Sequence, residues 1–301
     1  MSLKAHLKHI RIARLLVLSC TIVLVLTFLA RSENNGAQPE QNPSPVYLGF
    51  DANDYPGDAA LPGLRKIFAF SGYWLNVPPG AKANPWMGKR DALIKNNLGF
   101  LVLFNGRLSK ELKPPAEPSS LGVQDAELAV AAAQRDRFPA NGSIVIYLDI
   151  EEGGRMVPTQ ISYIQSWSAG VTSKGFVAGV YCSGIKVKEG KNQTITTADD
   201  IHQRLPTITA YFVYNDECPP SPGCVTWKNP PPPSQSGFSS ARVWQFAQSP
   251  QRRSLTSRCS ATYSSDGNCY PPAGAGADHI LLDLDVSMSP DPSTLGLPPI
   301  H

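Results

Sequence analysis

Five carboxylates of this 301-residue chain stand where an acid is hard to place. Asp51 closes the run Val-Tyr-Leu-Gly-Phe-Asp. Asp149 and Glu151 close Ser-Ile-Val-Ile-Tyr-Leu-Asp-Ile-Glu. Asp283 closes His-Ile-Leu-Leu-Asp, with Asp285 two residues beyond. The residues before each acid are β-branched or apolar, the composition of a strand buried on both faces. A strand turns alternate side chains to one side, so Tyr147, Asp149 and Glu151 point the same way. An acid at the end of a buried strand loses hydration, so it needs a partner or a chemical task. Clustered carboxylates suit general acid–base work: one protonates a leaving oxygen while another stabilises or attacks the cationic carbon, the chemistry of glycoside hydrolysis. The same acids could instead hold Mg²⁺ for phosphodiester cleavage, although no histidine accompanies them at a strand end. Neither a metal nor an organic cofactor is expected.

Other strand ends carry residues suited to a sugar. Tyr73, Trp74, Tyr181 and Trp244 offer flat apolar faces to its C–H groups, and Asn105 and Gln245 offer amides to its hydroxyls. Each has a plainer alternative. Trp244 has the size and setting of a core residue, and Tyr73, Trp74 and Tyr181 divide evenly between rim and packing. Arg107 suits an ion pair with a cleft acid as well as a ligand contact. Glu152, next to Glu151 on the opposite face, reads as a solvated loop acid.

Eight strand-like runs supply these ends: residues 46–51, 67–70, 98–104, 143–151, 175–181, 208–214, 242–246 and 279–283. Helical periodicity fills the early gaps at 89–97, 123–137, 159–173 and 197–205, the last with Thr196 or Thr197 as N-cap and Asp199 and Asp200 in its first turn. Strands alternating with helices predict an α/β fold with parallel pairing, and eight of them a closed (β/α)8 barrel of the TIM type. Its C-terminal face would gather all the residues above. The second half is irregular: Pro219, Pro220, Pro222 and the run Pro230 to Pro233 rule out a crossover helix at 215–241, and 248–277 is rich in Ser, Gly and Cys. Both stretches are expected as long surface loops.

The motifs resemble those of glycoside hydrolase family 25, the lysozymes with G-x-D on the first strand, D-x-E on the fourth, W-Q late and D-x-N near the end. Here these are Gly49-Phe50-Asp51, Asp149-Ile150-Glu151, Trp244-Gln245 and Asp283-Leu284-Asp285, in that order. The chain resembles more closely the domain-of-unknown-function 1906 family, described as glycoside hydrolase-like. That likeness covers residues 46–288 and includes Gly99 to Gly106, Leu148 to Glu151 and Gly179 to Tyr181. It implies Glu151 as general acid, Asp149 as the neighbour that orients an N-acetyl group or stabilises positive charge, and Asp51 and Asp283 as supporting acids. Asp285 departs from the lysozyme pattern, which has Asn there. The implied partner is an N-acetylated envelope polysaccharide such as peptidoglycan, cleaved with retention. A catalytically inactive glycan-binding or scaffold protein remains open beside it.

The amino terminus is set apart by composition. Lys4, Lys8, Arg11 and Arg14 precede an uncharged apolar run at 15–30, the pattern of an export signal or an uncleaved membrane anchor. Residues 33–45 are a polar, Pro- and Asn-containing linker, leaving 46–301 as the barrel domain. Residues 1–32 hold five of the 27 basic residues and none of the 24 acids, so the remainder has 22 basic against 24 acidic. A mildly acidic exported domain gives no electrostatic case for nucleic acid. Membrane contact is expected only through residues 1–32, if they are retained. Secretion or a periplasmic location suits the cysteines too: Cys218 with Cys224 and Cys259 with Cys269 would staple the two irregular loops, leaving Cys182 a buried thiol.

Overall fold

The computed structural model describes residues 45–114, 117–215, 231–248, 280 and 282–296. In chain order these form β1 (Tyr47–Asp51), α1 (Leu61–Leu64), β2 (Phe70–Trp74), α2 (Arg90–Lys95), β3 (Gly99–Asn105), α3 (Pro118–Arg135), β4 (Val145–Asp149), α4 (Pro158–Ser173) and β5 (Val177–Ser183). There follow a hairpin of β6 (Val187–Glu189) and β7 (Gln193–Ile195), then α5 (Thr197–Arg204), β8 (Ala210–Tyr214), β9 (Val243–Ala247) and β10 (Asp283–Ser287). The export segment, the linker to residue 44, the four loop cysteines and His279 lie outside the described residues. Among those described, no helix is long and apolar enough to cross a membrane.

Eight strands close a barrel in the order β1-β10-β9-β8-β5-β4-β3-β2. The expected TIM-type barrel is present, with one strand reversed. β10 runs antiparallel to both β1 and β9, whereas the other neighbours are parallel. The last strand therefore begins at Asp283 and does not end there. Reversal also removes the need for a helix between β9 and β10: an antiparallel neighbour starts at the end of the barrel where its predecessor finished, so the connection need not cross the barrel's length. The second strand also differs from expectation. Residues 67–70 are largely taken up by turns continuing from α1, in which the amides of Ile67 and Phe68 both donate to Leu64 O, and the strand begins at Phe70.

Local sequence explains the helices. Pro118 and Pro158 start α3 and α4 where a missing N–H does no harm, and in α4 the Gln160 side chain accepts from Val157 N at 3.1 Å. Thr196 caps α5 by accepting from Asp199 N at 3.0 Å, and Asp199 and Asp200 favour the positive end of its dipole. The helices α3 and α4 pack closely through glycine: a Cβ on Gly122 would stand 2.4 Å from Tyr163 O, and one on Gly170 would stand 2.6 Å from Ala126 Cβ.

The end of the barrel away from Asp51 is closed by residues after β10. β3 and β4 pair only over Leu103–Asn105 and Tyr147–Asp149. Residues 291–295 fill the gap that remains below. Asp291 Oδ1 accepts from Phe100 N at 3.0 Å, Ser293 Oγ accepts from Val102 N at 2.7 Å, and Val145 N donates to Ser293 O at 2.7 Å. Gly99 makes room for this wedge, since a Cβ there would lie 2.1 Å from Pro290 O.

Candidate active site

Every barrel strand contributes to one cavity at the end where the parallel strands finish. Asp51 enters from β1, Trp74 from β2, Leu103 from β3 and Asp149 from β4, with Glu151 just beyond. Tyr181 on β5, Phe212 on β8, Gln245 on β9 and Asp283 at the start of β10 complete the ring, and Asn53, Pro79 and Gln248 stand around it. Asp51 and Asp283 are direct partners across the β1–β10 pair. The reversal of β10 thus delivers Asp283 to the same face that a parallel strand end would have reached. The cavity measures about 110 Å³, well under the ~300–1,000 Å³ of pockets for drug-sized ligands.

Room for Asp51 comes from β2. A Cβ on Gly72 would stand 2.6 Å from Asp51 Cβ, so the glycine leaves space for a buried carboxyl. A hydrogen-bonded chain then fixes that carboxyl. Tyr181 Oη donates to Gln245 Oε1 at 2.7 Å, Gln248 Nε2 donates to the same oxygen at 3.0 Å, and Gln245 Nε2 donates to Asp51 Oδ2 at 2.7 Å. Two donors on its oxygen orient the Gln245 amide so that its NH₂ faces Asp51. A β-bulge between Leu284 and Asp285, opposite this part of β9, sets the local register.

No basic residue lines the cavity among those described, so its acids share their charge with one another. Burial, and secondarily the negative charge of Asp283, push the Asp51 carboxyl up to about 8 against the opposing hydrogen bond from Gln245. Burial first, then Glu151, Asp51 and Glu152, hold Asp149 well above the usual carboxylate range. Asp149 Oδ1 is buried with no hydrogen-bond partner among the described residues. Glu151 is exposed at the mouth. The Tyr181 phenol is driven upward by burial and by the surrounding aspartates, so it stays a hydrogen-bond donor.

Four residues anticipated at this site lie elsewhere. Tyr73 points out of the barrel and meets Trp86, Phe100 and Phe138 edge to face, because its neighbour Trp74 takes the inward direction. Trp244 likewise points outward beside inward Gln245, and its indole N–H donates to Asn215 O at 2.8 Å. Asn105 is occupied in a loop clamp, donating to Val77 O at 2.9 Å while its amide N–H donates to Asn76 Oδ1. Asp285 is fully buried beneath Asp51 and lines no part of the cavity wall. Arg107 pairs with Asp125 on α3 at 2.7 and 2.8 Å and meets no cleft acid. Glu152 is half-buried, accepting from Ser109 N and from Gln160 Nε2, so it is a structural clamp and not a solvated acid. Cys182 is a buried free thiol. Phe212 and Leu103 were not anticipated; Leu103 lies two residues before Asn105 and so shares its face of β3. Asn53 and Gln248 follow their strands, and no strand pattern points to them.

A second cavity of about 450 Å³ is lined by Asn76, Asn105, Arg107 and Leu128 among others. Its principal polar groups already hold one another: Asn76 with Asn105, and Arg107 with Asp125, which also accepts from Tyr163 Oη at 2.8 Å. Among the described residues, no group of three or more His, Cys, Asp or Glu side chains is placed to hold a metal ion.

The family model of the Rv2525c-like, glycoside hydrolase-like domain, the 1906 family of the sequence motifs, matches residues 79–255. The chain belongs to this family. The glycoside hydrolase-like match spans Asp149, Glu151, Tyr181, Phe212 and Gln245; Asp51, Trp74 and Asp283 fall outside it and join through the barrel. Among solved structures, the spore cortex lytic enzyme SleM of Clostridium perfringens shares the fold at 14% identity and TM-score 0.50, over 83% of this chain and 69% of that one. The Tat-secreted protein Rv2525c of Mycobacterium tuberculosis aligns at 14% identity and TM-score 0.48, over 83% and 98%. A family 25 glycosyl hydrolase from Bacillus anthracis aligns at 11% and 0.45, over 81% and 89%. No curated protein matches the chain.

Proposed function

We propose that this protein is exported and acts as a glycosidase on an N-acetylated envelope polysaccharide such as peptidoglycan. The observation that carries this is the single cavity in which Asp51, Asp149, Glu151 and Asp283 meet Trp74, Tyr181 and Gln245. Its size selects what enters. Trp74 and Phe212 are only 4% and 1% exposed, so neither offers a flat face for a sugar ring to stack on. A space of about 110 Å³ suits one small polar appendage of the sugar, such as an acetamido group, with the ring at the mouth beside Glu151 and Asn53. Asp149, whose carboxyl burial pushes toward the protonated form and whose buried Oδ1 has no partner among the described residues, donates to the acetamido carbonyl. Glu151, above it, protonates the leaving oxygen, and the negative charge of Asp283 faces the developing oxocarbenium.

A second reading is binding without cleavage. Asp51 and Asp149 both tend to hold protons at neutral pH, which leaves fewer carboxylates to stabilise a cation. The two readings separate on one series of assays with labelled peptidoglycan. Hydrolysis predicts soluble product from the wild type and a loss of ~10²–10⁴-fold in Glu151→Gln, the range for removing a general acid, with glycan still bound by the variant. Binding with no product from the wild type selects the second reading. Neither binding nor product from any envelope glycan sinks both.

A further inference from the structure

Asp285 is the acid that the proposed chemistry leaves unused, and its surroundings are unusual. It is 0% exposed, pairs with Gly49 on one side and Gln245 on the other, and neither of its side-chain oxygens meets a hydrogen-bond donor among the described residues. The group within hydrogen-bonding contact is the Asp51 carboxyl. Two ionised carboxylates cannot bond to each other, since both only accept. One of them must therefore carry a proton. The neighbours decide which: Asp51 Oδ2 already accepts from Gln245 Nε2 at 2.7 Å, and a donor favours the charged form, whereas Asp285 has no such donor.

We propose that Asp285 is a positioning residue acting through Asp51: its carboxyl donates a hydrogen bond to the Asp51 carboxyl from inside the barrel, so that Asp51 ionises against a fixed donor. The pair then presents the cavity with at most one negative charge, at Asp51. Asp285 meets the charges of Asp51 on β1 and Asp283 on β10, and Asp51 in turn faces Asp149 on β4 and the Tyr181 phenol on β5; β2 and β9 face Asp51 with Gly72 and Gln245, which do not titrate. Among the described residues, no cation acts on Asp285. Burial and the charges of Asp51 and Asp283 hold its proton well above the usual carboxylate range. The inference rests on Asp51 belonging to the glycan site, but its test does not need a glycan.

The test counts protons. The unfolded chain ionises aspartate near ~3.9, so an Asp285 that is neutral in the fold releases its proton when the protein unfolds at neutral pH. Asp285→Asn keeps a donor toward Asp51 and removes the titration. Its unfolding at about pH 7 is expected to release about one proton fewer than the wild type, with Asp51 still titrating near 8. Asp285→Leu, of similar size without a donor, is expected to move the Asp51 titration upward by a unit or more, which a merely space-filling role would not do. Equal proton release from wild type and Asp285→Asn overturns the proposal, and so does an Asp51 titration unmoved in Asp285→Leu. Should both variants fail to fold, carboxyl-carbon NMR of Asp149→Asn at about pH 9, one unit above the Asp51 value of about 8, replaces them. One aspartate still unionised supports the proposal, and none overturns it. If the proton count holds while no glycan binds, the pairing stands and the proposed function fails.

Discussion

Gln245 shows how a single neutral side chain governs the charge of the candidate site. It is 2% exposed, accepts from Tyr181 and Gln248, and donates to Asp51. Gln245→Leu would strip Asp51 of a hydrogen bond that favours its ionised form, so the Asp51 titration is expected to rise above its value of about 8. Carboxyl-carbon NMR against pH checks this, and a midpoint that falls would count against the chain of donors described. The Tyr181 hydroxyl also loses its acceptor, at a cost of ~1–3 kcal/mol for a group left unpaired. At this scale the sequence named the site's acids but not the directions of their companions. Tyr73 and Trp74, like Trp244 and Gln245, are neighbours on opposite faces of a strand that is buried on both faces. Two-sided burial erases the polar–apolar alternation that would tell inside from outside. The parity of Asp149 fixed the inward face on β4; the other strands offered no such marker with comparable clarity.

Among the elements, β10 and the residues after it were the least legible, for two different reasons. In β10 the inward positions hold Asp283 and Asp285, and the buried alternates are Leu284 and Val286. A strand with acids facing the barrel interior looks like a loop, and the apolar residues just before it look like the strand. The wedge at 291–295 has no periodicity at all, because it works through backbone and short polar side chains. Its contribution can be measured. Ser293 is fully buried and its hydroxyl is the acceptor for Val102 N at 2.7 Å. Ser293→Ala leaves that amide unpaired between β3 and β4, which is expected to destabilise the fold by ~1–3 kcal/mol, or a fall in Tm of ~2–4 °C for each kcal/mol. Urea unfolding gives the direct value. A change within the ~0.5 kcal/mol usual for surface substitutions would show that the wedge is not holding the gap closed.

For the whole molecule, order along the chain was readable because a barrel repeats one unit, and eight apolar runs sufficed to predict the ring. The electrostatic consequence of closing the ring was not readable, since it depends on Asp51, Asp149 and Asp285 coming together from strands far apart in sequence. That consequence sets how stability varies with pH. The three carboxyls have folded-state values raised above their unfolded ones, to about 8 for Asp51 and well above the usual range for Asp149 and Asp285. Between the unfolded and folded values the native state binds more protons, so the free energy of unfolding falls as pH rises. The slope is ~1.4 kcal/mol per pH unit for each proton retained. Asp58 and Glu189 act in the opposite sense, lowered chiefly by hydrogen bonds from Tyr55 and from Arg155, but both are solvent-exposed ion-pair members whose effect water and salt screen. The buried acids should therefore dominate. Tm is expected to be higher at about pH 5 than at about pH 8, with the decline ending only above the Asp51 value of about 8. In Asp51→Asn, which removes one of the three titrations, the decline should be shallower. A wild-type Tm that is flat or rising across this interval, measured at constant ionic strength, would mean that the cavity acids enter the folded state already ionised.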